Sequence, residues 1–517
     1  MNNTKFKILD CTLRDGGYYT NWDFDPNLVE TYFTSLNSLP IEFLEIGYRS
    51  NPMKAYLGEF FYCPEYLLKK CKGLTEKKLV IILNEKDVRA EHVPNLLQPC
   101  VGYIDMVRIA IDPKNFTRAL ILADAVKRLG FQVGFNVMYM SNWENEKEFL
   151  AQIKEVDGVA DYFYMVDSFG GVYPEDVKKT YDIIRNQSQV KIGFHGHNNL
   201  ELGLINTLTA IDCGADIVDA TITGMGRGAG NLKTELLLTA LNSKENLAVD
   251  FNALSEITGL FSDMQKEYEW GTNLPYMVSG ANSLPQKQVM EWVSKRFYSF
   301  NSIIRALHNQ RTGQRDNESF SIFEPNKKYA EVIIVGGGPT VHSHIDGIEQ
   351  YLRNKNNEEI CVIHASSRNA KPFNSFDVDQ YFCLIGNEGL RIEKVFQDFE
   401  QFRSICLLPP FPRKMGTYIP DKIKSNTFQL DSFSINDLPQ ESPTVLAIEL
   451  AKKLGAETVA FVGYDGYSDT SIGQKEQELF LENDLIFKNY CDKGLNLYSL
   501  TPSKYPNLPV ESIYSKL

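Results

Sequence analysis

The sequence predicts an α/β protein built as a (β/α)8 TIM barrel with a helical C-terminal extension, followed by a second, Rossmann-like α/β domain. Three observations predict it. Eight short apolar runs alternate with longer amphipathic segments from residue 6 to about 242. The polar signatures fall at the C-terminal ends of those runs, where barrels of this kind build their sites. A fresh apolar strand then meets a glycine turn in AEVIIVGGGPTVHSH (330–344) and starts a new α/β pattern. A chain of 517 residues has room for two large domains.

The runs are FKILD (6–10), EFLEIG (42–47), KLVIIL (78–83), YIDMVRIA (103–110), FQVGFNVM (131–138), DYFYMVD (161–167), VKIGFH (190–195) and DIVDATI (216–222). Near-continuous apolar strands separated by helices indicate a parallel sheet covered on both faces. The intervening NFTRALILADAVKRLG and GLINTLTAIDCG each end near a glycine, as a helix C-cap does. Eight units in roughly 240 residues match a closed barrel. An open doubly wound sheet is the alternative. On this reading the barrel spans residues 1–245, and ITGLFSDMQKEYEWG and PQKQVMEWVSKRFYSF extend it over 246–307. The polar stretch HNQRTGQRDNESFSIFEPNKK (308–328) reads as a linker. The second domain covers 329–517, with EEICVIHAS, QYFCLIG and TVAFVGYD as strands.

Composition removes several function classes. The net charge of −13 argues against nonspecific binding to nucleic acid or an anionic membrane, both of which need a basic face. The nine cysteines are scattered without a C-x-x-C pair, as free thiols in a reducing cytosol are. No signal peptide is evident, and no stretch approaches the ~18 apolar residues of a membrane span. A cytoplasmic protein, assembled as a homo-oligomer, is the expectation.

GFHGHNN (193–199) is the strongest chemical signal. His195 and His197 are two apart on a predicted strand, so they share a face at the C-terminal end of strand seven. Asp15, in CTLRDGGYYTNWDF after strand one, faces strand seven across a closed barrel's mouth. Two imidazoles and a carboxylate form a mixed site suited to Mn, Mg, Fe or Zn. A surface Arg14–Asp15 pair would contribute little, and would leave Gly16 and Gly17 unexplained. Glycines there permit left-handed backbone and close approach of a ligand such as substrate at Gly16. Glu45 ends strand two, where it can hold Arg14 by a paired hydrogen bond. Asp167 and Ser168 end strand six, placed to bind a substrate carboxylate or a water. After strand eight, TGMGRGAGNLKTE (223–235) opens the backbone ahead of a helix start near Asn231.

In order and position, LDCTLRDGG, FLEIG, VDSFGG, GFHGHNN and GMGRGAGN resemble the DRE-TIM metallolyases, also called HMG-CoA-lyase-like. The nearest branch is the catalytic domain of 4-hydroxy-2-oxovalerate aldolase-type enzymes, and the resemblance covers about residues 4–300. It implies that Asp15, His195 and His197 bind a divalent cation, Mn2+ or Mg2+, with Asn231 at or near it. It implies that Arg14 stabilises a pyruvate enolate and that Glu45 orients Arg14. Tyr18 departs from the pattern, because that branch keeps its base histidine three residues after the metal aspartate. A tyrosine titrates near 10 and serves as a base only if shifted. Tyr18 or Tyr19 with a lowered pKa, or water on the metal, would then take the role. Tyr276, in WGTNLPYMVSG, is similar to the acid tyrosine of the family's helical region.

In the second domain VIIVGGGPTV lacks a full G-x-G-x-x-G and has no P-loop. An acylating aldehyde dehydrogenase is disfavoured, because the domain is short and its cysteines lie in apolar runs. GGGPTV followed by FVGYDGYSD (461–469) resembles the MptE-like pyrophosphokinase and motility-accessory glycosyltransferase families. That resemblance puts Gly337, Gly338 and Asp465 against a phosphate, nucleotide or nucleotide-sugar. A structural or docking role is the other reading.

The expected activity is a metal-dependent aldolase acting on pyruvate or another 2-oxo acid and an aldehyde, with a sugar-type aldehyde suggested by the domain pairing. Acyl-CoA condensation on the same barrel, or a barrel serving as a scaffold without a base, are the alternatives.

Overall fold

The computed structural model describes residues 5–54, 56–294, 298–313, 318–355, 359–396, 402, 404–413, 417–435, 437–467 and 474–517. The chain divides into two compact units, Met1–Glu291 and Trp292–Leu517.

In the first unit, β1 (Lys7–Asp10), β2 (Phe43–Tyr48), β3 (Lys78–Asn84), β4 (Met106–Ile111), β5 (Gln132–Val137), β6 (Tyr162–Asp167), β7 (Lys191–Gly196) and β8 (Ile217–Ala220) form a closed barrel in chain order. β1 closes it by pairing parallel with β8, Leu9 opposite Asp219. The open doubly wound sheet is thereby excluded. Alternation along each strand divides its side chains between two cores. Ile8, Leu44, Ile46, Leu79 and Ile81 face outward to the surrounding helices. Leu9, Phe43, Val80, Met106, Tyr162, Tyr164 and Ile217 form a separate cluster inside the barrel. Two residues further along β2, β4 and β8, on that same inner face, come Glu45, Arg108 and Asp219, all fully buried. The barrel interior therefore has an apolar floor and a charged layer above it, toward the C-terminal mouth.

The first helix, α1 (Thr12–Thr20), begins directly after β1. Asp10 fastens it to the rim. Its carboxylate accepts from the Thr12 amide at 2.9 Å, the Tyr32 hydroxyl at 2.7 Å and the Thr234 hydroxyl at 2.7 Å. After β8 the helix Phe251–Tyr268 buries Leu254, Ile257 and Phe261 and sets Phe261 against Tyr32, 6.4 Å between ring centres.

In the second unit, β9 (Glu331–Val335), β10 (Ile360–His364), β11 (Asp379–Cys383), β12 (Ile405–Leu408), β13 (Thr427–Gln429), β14 (Thr458–Val462) and β15 (Asn496–Ser499) form one parallel sheet in the order β13-β12-β11-β10-β9-β14-β15. Pairing proceeds one way from β9 through β10 and the other way through β14, so the order reverses between β9 and β14.

The region expected to extend the barrel, 246–307, is divided by the boundary after Glu291, and the helix Phe300–Thr312 lies in the second unit. The expected linker is also built into that unit. Residues 308–312 complete the same helix, and the Phe323 amide bonds the Gln429 carbonyl at 2.8 Å beside β13. Residues 314–317 of that stretch lie outside the described residues. No helix of the described residues is long and apolar enough to cross a membrane.

Candidate metal centre and active site

Arg14, Asp15, Gly16 and Gly17 are consecutive residues of α1, whose first turns are buried in the barrel mouth. The Arg14 Nε donates to Glu45 Oε2 at 2.7 Å, and its Nη1 pairs with Asp15 Oδ1. Burial disfavours the Arg14 charge, but Asp15 and Glu45 together raise its pKa well above the ordinary value. Burial likewise works against a charged Asp15. Arg14, then His195 and His197, reverse that and hold its pKa below the usual carboxylate value.

Gly16 and Gly17 do not serve the left-handed turn that is one of the reasons expected for them. Neither has a left-handed backbone. A Cβ on Gly16 would lie 2.5 Å from Met225 Sδ, and one on Gly17 2.2 Å from Trp22 Cδ1. Both glycines let neighbouring side chains press onto α1. Trp22 uses that closeness to donate from Nε1 to the Arg14 carbonyl at 2.9 Å.

His195 and His197 reach the mouth from the end of β7, their rings 5.0 Å apart. Nδ1 of His195 bonds Asp219 Oδ2 at 2.8 Å, and Nδ1 of His197 bonds the Asp167 carbonyl at 2.6 Å. A carboxylate and a carbonyl only accept, so both Nδ1 atoms carry hydrogen, and in the neutral form of each ring the lone pair is on Nε2. His195 Nε2 is 3.9 Å from Asp15 Oδ2. Burial, reinforced by His195, pushes the His197 pKa down to about 3, so the ring is neutral, as a metal ligand must be.

Asn231 arrives by a β-bridge to His197 rather than at a helix start, and the next helix begins at Thr234. Gly228 and Gly230, both left-handed, turn the loop so that it reaches there. The Asn231 Nδ2 donates to Asp15 Oδ2 at 2.7 Å, and its buried Oδ1 has no partner among the described residues. An orphaned buried oxygen beside a carboxylate and two available imidazole nitrogens fits a hard or borderline divalent cation. Cys11 lies beside them, its ligand atom within 4.8 Å of those of Asp15 and His195. Burial raises its pKa well above the usual thiol value, so it stays a protonated packing group.

Beneath this set Arg108 joins the charges. It donates from Nη2 to Asp219 Oδ2 at 2.5 Å and from Nε to Asn136 Oδ1 at 2.7 Å. Its Nη1 lies 3.4 Å from Glu45 Oε2, and its guanidinium covers the Tyr164 ring at 4.1 Å. Sequence reasoning missed Arg108 and Asp219. Their signal was present as a charge in the middle of each of two mainly apolar runs, YIDMVRIA and DIVDATI.

The remaining expected residues divide. Tyr18 is at the mouth, its hydroxyl 2.8 Å from that of Tyr48, with Arg227 over its ring at 4.5 Å. Tyr19 packs on Tyr268 and Trp270 instead, and burial pushes its pKa up to about 12, opposite to the lowering that a base needs. Tyr276 sits against Gly228, where a Cβ would meet its ring at 3.1 Å, and burial raises its pKa. The Asp167 carboxylate bonds its own turn. It accepts the Gly171 and Val172 amides at 3.1 and 3.4 Å, and burial pushes its pKa up to about 7. Ser168 Oγ accepts the Tyr139 amide at 2.8 Å.

In the second unit Gly337 and Gly338 follow β9 and line a cavity of about 580 Å3 with Asp465, Ser366, Arg368 and Arg391. It lies at the C-terminal ends of β9 and β14, where the strand order reverses. Asp465 closes the turn by accepting the Thr340 amide at 3.1 Å and bonding its hydroxyl. Gly337 is the more open of the two glycines, with no atom nearer than 3.8 Å to a Cβ placed on it. Ser468 and Asp469 of the quoted motif lie outside the described residues.

A closed barrel with a mouth of this composition has known relatives. The HMGL-like family matches residues 109–260. The oxaloacetate decarboxylase of Mycobacterium tuberculosis is 28% identical over 316 residues, 59% of this chain and 92% of that protein. The 4-hydroxy-2-oxovalerate aldolase of Carboxydothermus hydrogenoformans is 30% identical over 250 residues, 46% of this chain and 70% of that protein. The crystal structure of the N-terminal domain of a candidate aldolase from Bacteroides vulgatus superposes with a TM-score of 0.56 at 57% identity. It covers 58% of this chain and all of that one. The chain belongs to the HMGL-like family, the DRE-TIM metallolyases.

Proposed function

We propose that the barrel is a divalent-metal-dependent aldolase, a carbon–carbon lyase that forms or cleaves a 4-hydroxy-2-oxo acid through the enolate of pyruvate. The observation that carries this is the Arg14 guanidinium, fixed between Asp15 and Glu45 beside two imidazoles whose Nε2 atoms are available. A Mn2+ or Mg2+ ion held by Asp15, His195, His197 and Asn231 would supply Lewis acidity toward the 2-oxo and carboxylate oxygens of the substrate. Arg14 places a permanent positive charge where the enolate's negative charge develops, and Glu45 keeps it from turning away. Tyr48, whose pKa is raised well above the usual value by burial and by Tyr18, keeps its proton and shares a hydrogen bond with the Tyr18 hydroxyl. Tyr18 is the group we assign to the proton of the substrate's 4-hydroxyl. Ser168 and Tyr276 are assigned to the substrate's surroundings.

A second reading, decarboxylation of a 2-oxo diacid, leaves the same enolate with carbon dioxide as the other product. Among the described residues the Tyr18 hydroxyl has no carboxylate or imidazole partner, which favours this reading because decarboxylation removes no hydroxyl proton. The similarity to an oxaloacetate decarboxylase supports it as well.

The enolate common to both is tested by deuterium incorporation into the pyruvate methyl group, followed by mass spectrometry on the full chain. Incorporation that EDTA abolishes and Mg2+ or Mn2+ restores is expected. No incorporation with either ion, or incorporation indifferent to EDTA, overturns the proposal.

For the second unit we infer a nucleotide or nucleotide-sugar ligand at Gly337, Gly338 and Asp465. Support comes from the cavity's place at the reversal of strand order, the usual ligand crevice of open α/β sheets. Thermal shifts with nucleoside diphosphate sugars test it, and their absence across the common bases leaves the docking role.

A further inference from the structure

We infer that Arg227 selects the barrel's second substrate, and that this substrate carries a carboxylate or phosphate away from its reacting carbonyl. The inference rests on the aldolase reading.

Two guanidinium groups at and beneath the mouth are matched by carboxylates. Arg14 has Asp15 and Glu45, and Arg108 has Asp219 and Glu45. Among the described residues Arg227 makes no side-chain hydrogen bond and no ion pair. Its one close partner is the Tyr18 ring, 4.5 Å from the centroid. An exposed arginine without a partner would be an ordinary solvated side chain, but Arg227 is half-buried. Its carbonyl accepts the Gly230 amide at 3.1 Å, in the loop that the His197–Asn231 bridge anchors. Its charge acts on Asp15, Tyr18 and Tyr48 at one side of the mouth and on Tyr139 at the other.

The guanidinium presents five N–H donors in a plane suited to a paired bond with a carboxylate or phosphate. Stacking on Tyr18 holds that plane while leaving its edges available. The phenol assigned to the acceptor oxygen is therefore the platform on which Arg227 rests. One ligand can meet both groups if its carbonyl lies at Tyr18 and its anion beyond it. Pyruvate's own carboxylate is already provided for by Arg14 and the cation site.

The test uses the Mg2+-loaded full chain, pyruvate, and two matched acceptor pairs. These are glyceraldehyde 3-phosphate against glyceraldehyde, and succinic semialdehyde against butanal. In the wild type, kcat/KM for the preferred anionic member exceeds that of its neutral partner by about 10- to 100-fold, the range of a hydrogen bond to a charged group. R227Q removes that preference, R227K restores part of it, and deuterium exchange into pyruvate falls much less. Whichever pair shows the preference distinguishes phosphate from carboxylate. Equal use of both members by the wild type, or equal loss of exchange and condensation in R227Q, overturns the inference. If the wild type does not exchange pyruvate, the aldolase reading fails on its own. Anion binding then decides Arg227: a thermal shift of the metal-free chain by 3-phosphoglycerate or succinate, lost in R227Q, supports it, and no shift overturns it.

Discussion

Asp219 Oδ2 lies 2.8 Å from His195 Nδ1 and accepts Arg108 Nη2 as well, so the group that orients a candidate ligand is itself held by a buried cation. Outer partners of this kind are worth about 10- to 100-fold in metal affinity. Asp219→Asn keeps the shape and removes the charge that fixes the His195 tautomer. Mn2+ affinity, read by titration of free Mn2+ with EPR, is expected to fall by about that factor. Unchanged affinity would show that Asp219 serves Arg108 alone. His195→Ala, which removes the donor itself, is expected to abolish stoichiometric binding.

The Tyr18–Tyr48 hydroxyl pair makes a graded prediction. Tyr18→Phe keeps the ring beneath Arg227 and deletes the group assigned to the substrate hydroxyl. Cleavage of a 4-hydroxy-2-oxo acid should fall by about 10²- to 10⁴-fold, the usual range for a general acid–base group. Pyruvate deuterium exchange should be far less affected. Tyr48→Phe removes only the hydrogen-bond partner of Tyr18, and a loss nearer 10-fold is expected. If Tyr18→Phe leaves cleavage intact, or Tyr48→Phe is the more damaging, the assignment to Tyr18 fails.

The barrel and its mouth were largely legible because strand alternation and strand-end polarity are local properties. Asp15, His195 and His197 could be placed opposite one another from the order of strands in a closed barrel. What stayed hidden depends on distances between strands. Arg108 and Asp219 drew no notice, because only the closure of β1 on β8 puts them in one layer with Glu45. The glycines of α1 were misread because a helix beginning at Thr12 leaves no turn for them to make. Only Trp22 and Met225, folded back against them, explain their size. Asp167 was placed at the correct strand end, but its carboxylate bonds its own turn while its carbonyl reaches His197. Side-chain direction of that kind has no sequence signal. The linker was polar enough to pass as free chain, and its pairing with β13 is a tertiary event.

Gly17 and Gly259 form a contrasting pair. Gly17→Ala forces Trp22 away from the Arg14 carbonyl and from the Tyr18 ring, 4.9 Å away. Overpacking of this kind costs about 1–3 kcal/mol, and pyruvate exchange should fall with it. Gly259 lies inside the helix Phe251–Tyr268 with nothing within 4 Å of a Cβ placed on it. Gly259→Ala should therefore stabilise by about 0.5–1 kcal/mol through helix propensity. Thermal unfolding checks both signs, and Trp22 fluorescence reports the displacement in the first. A neutral Gly17→Ala would mean that α1 yields without cost.

His364 gives the second unit a pH dependence with a definite sign. It ends β10, fully buried, bonded through Nε2 to Gln380 Oε1 at 2.9 Å and stacked on Phe382 at 4.4 Å. Burial lowers its pKa from 6.5 to about 4. A depressed folded value means that the unfolded chain binds the proton first as pH falls. The stability from a neutral His364 is complete above about 6.5 and is lost progressively between there and about 4, because the slope follows protons bound unfolded minus folded. The full effect is about 3 kcal/mol at 1.36 kcal/mol per pKa unit, an upper limit. Hydrogen exchange at the β9 and β10 amides, measured on the full chain after correction for intrinsic rates, should show protection falling from pH 7 to pH 4.5. His364→Phe keeps the stacking surface and has no proton to gain, so its protection should be flatter over that range. Equal slopes in the two proteins would place the acid sensitivity elsewhere in the unit.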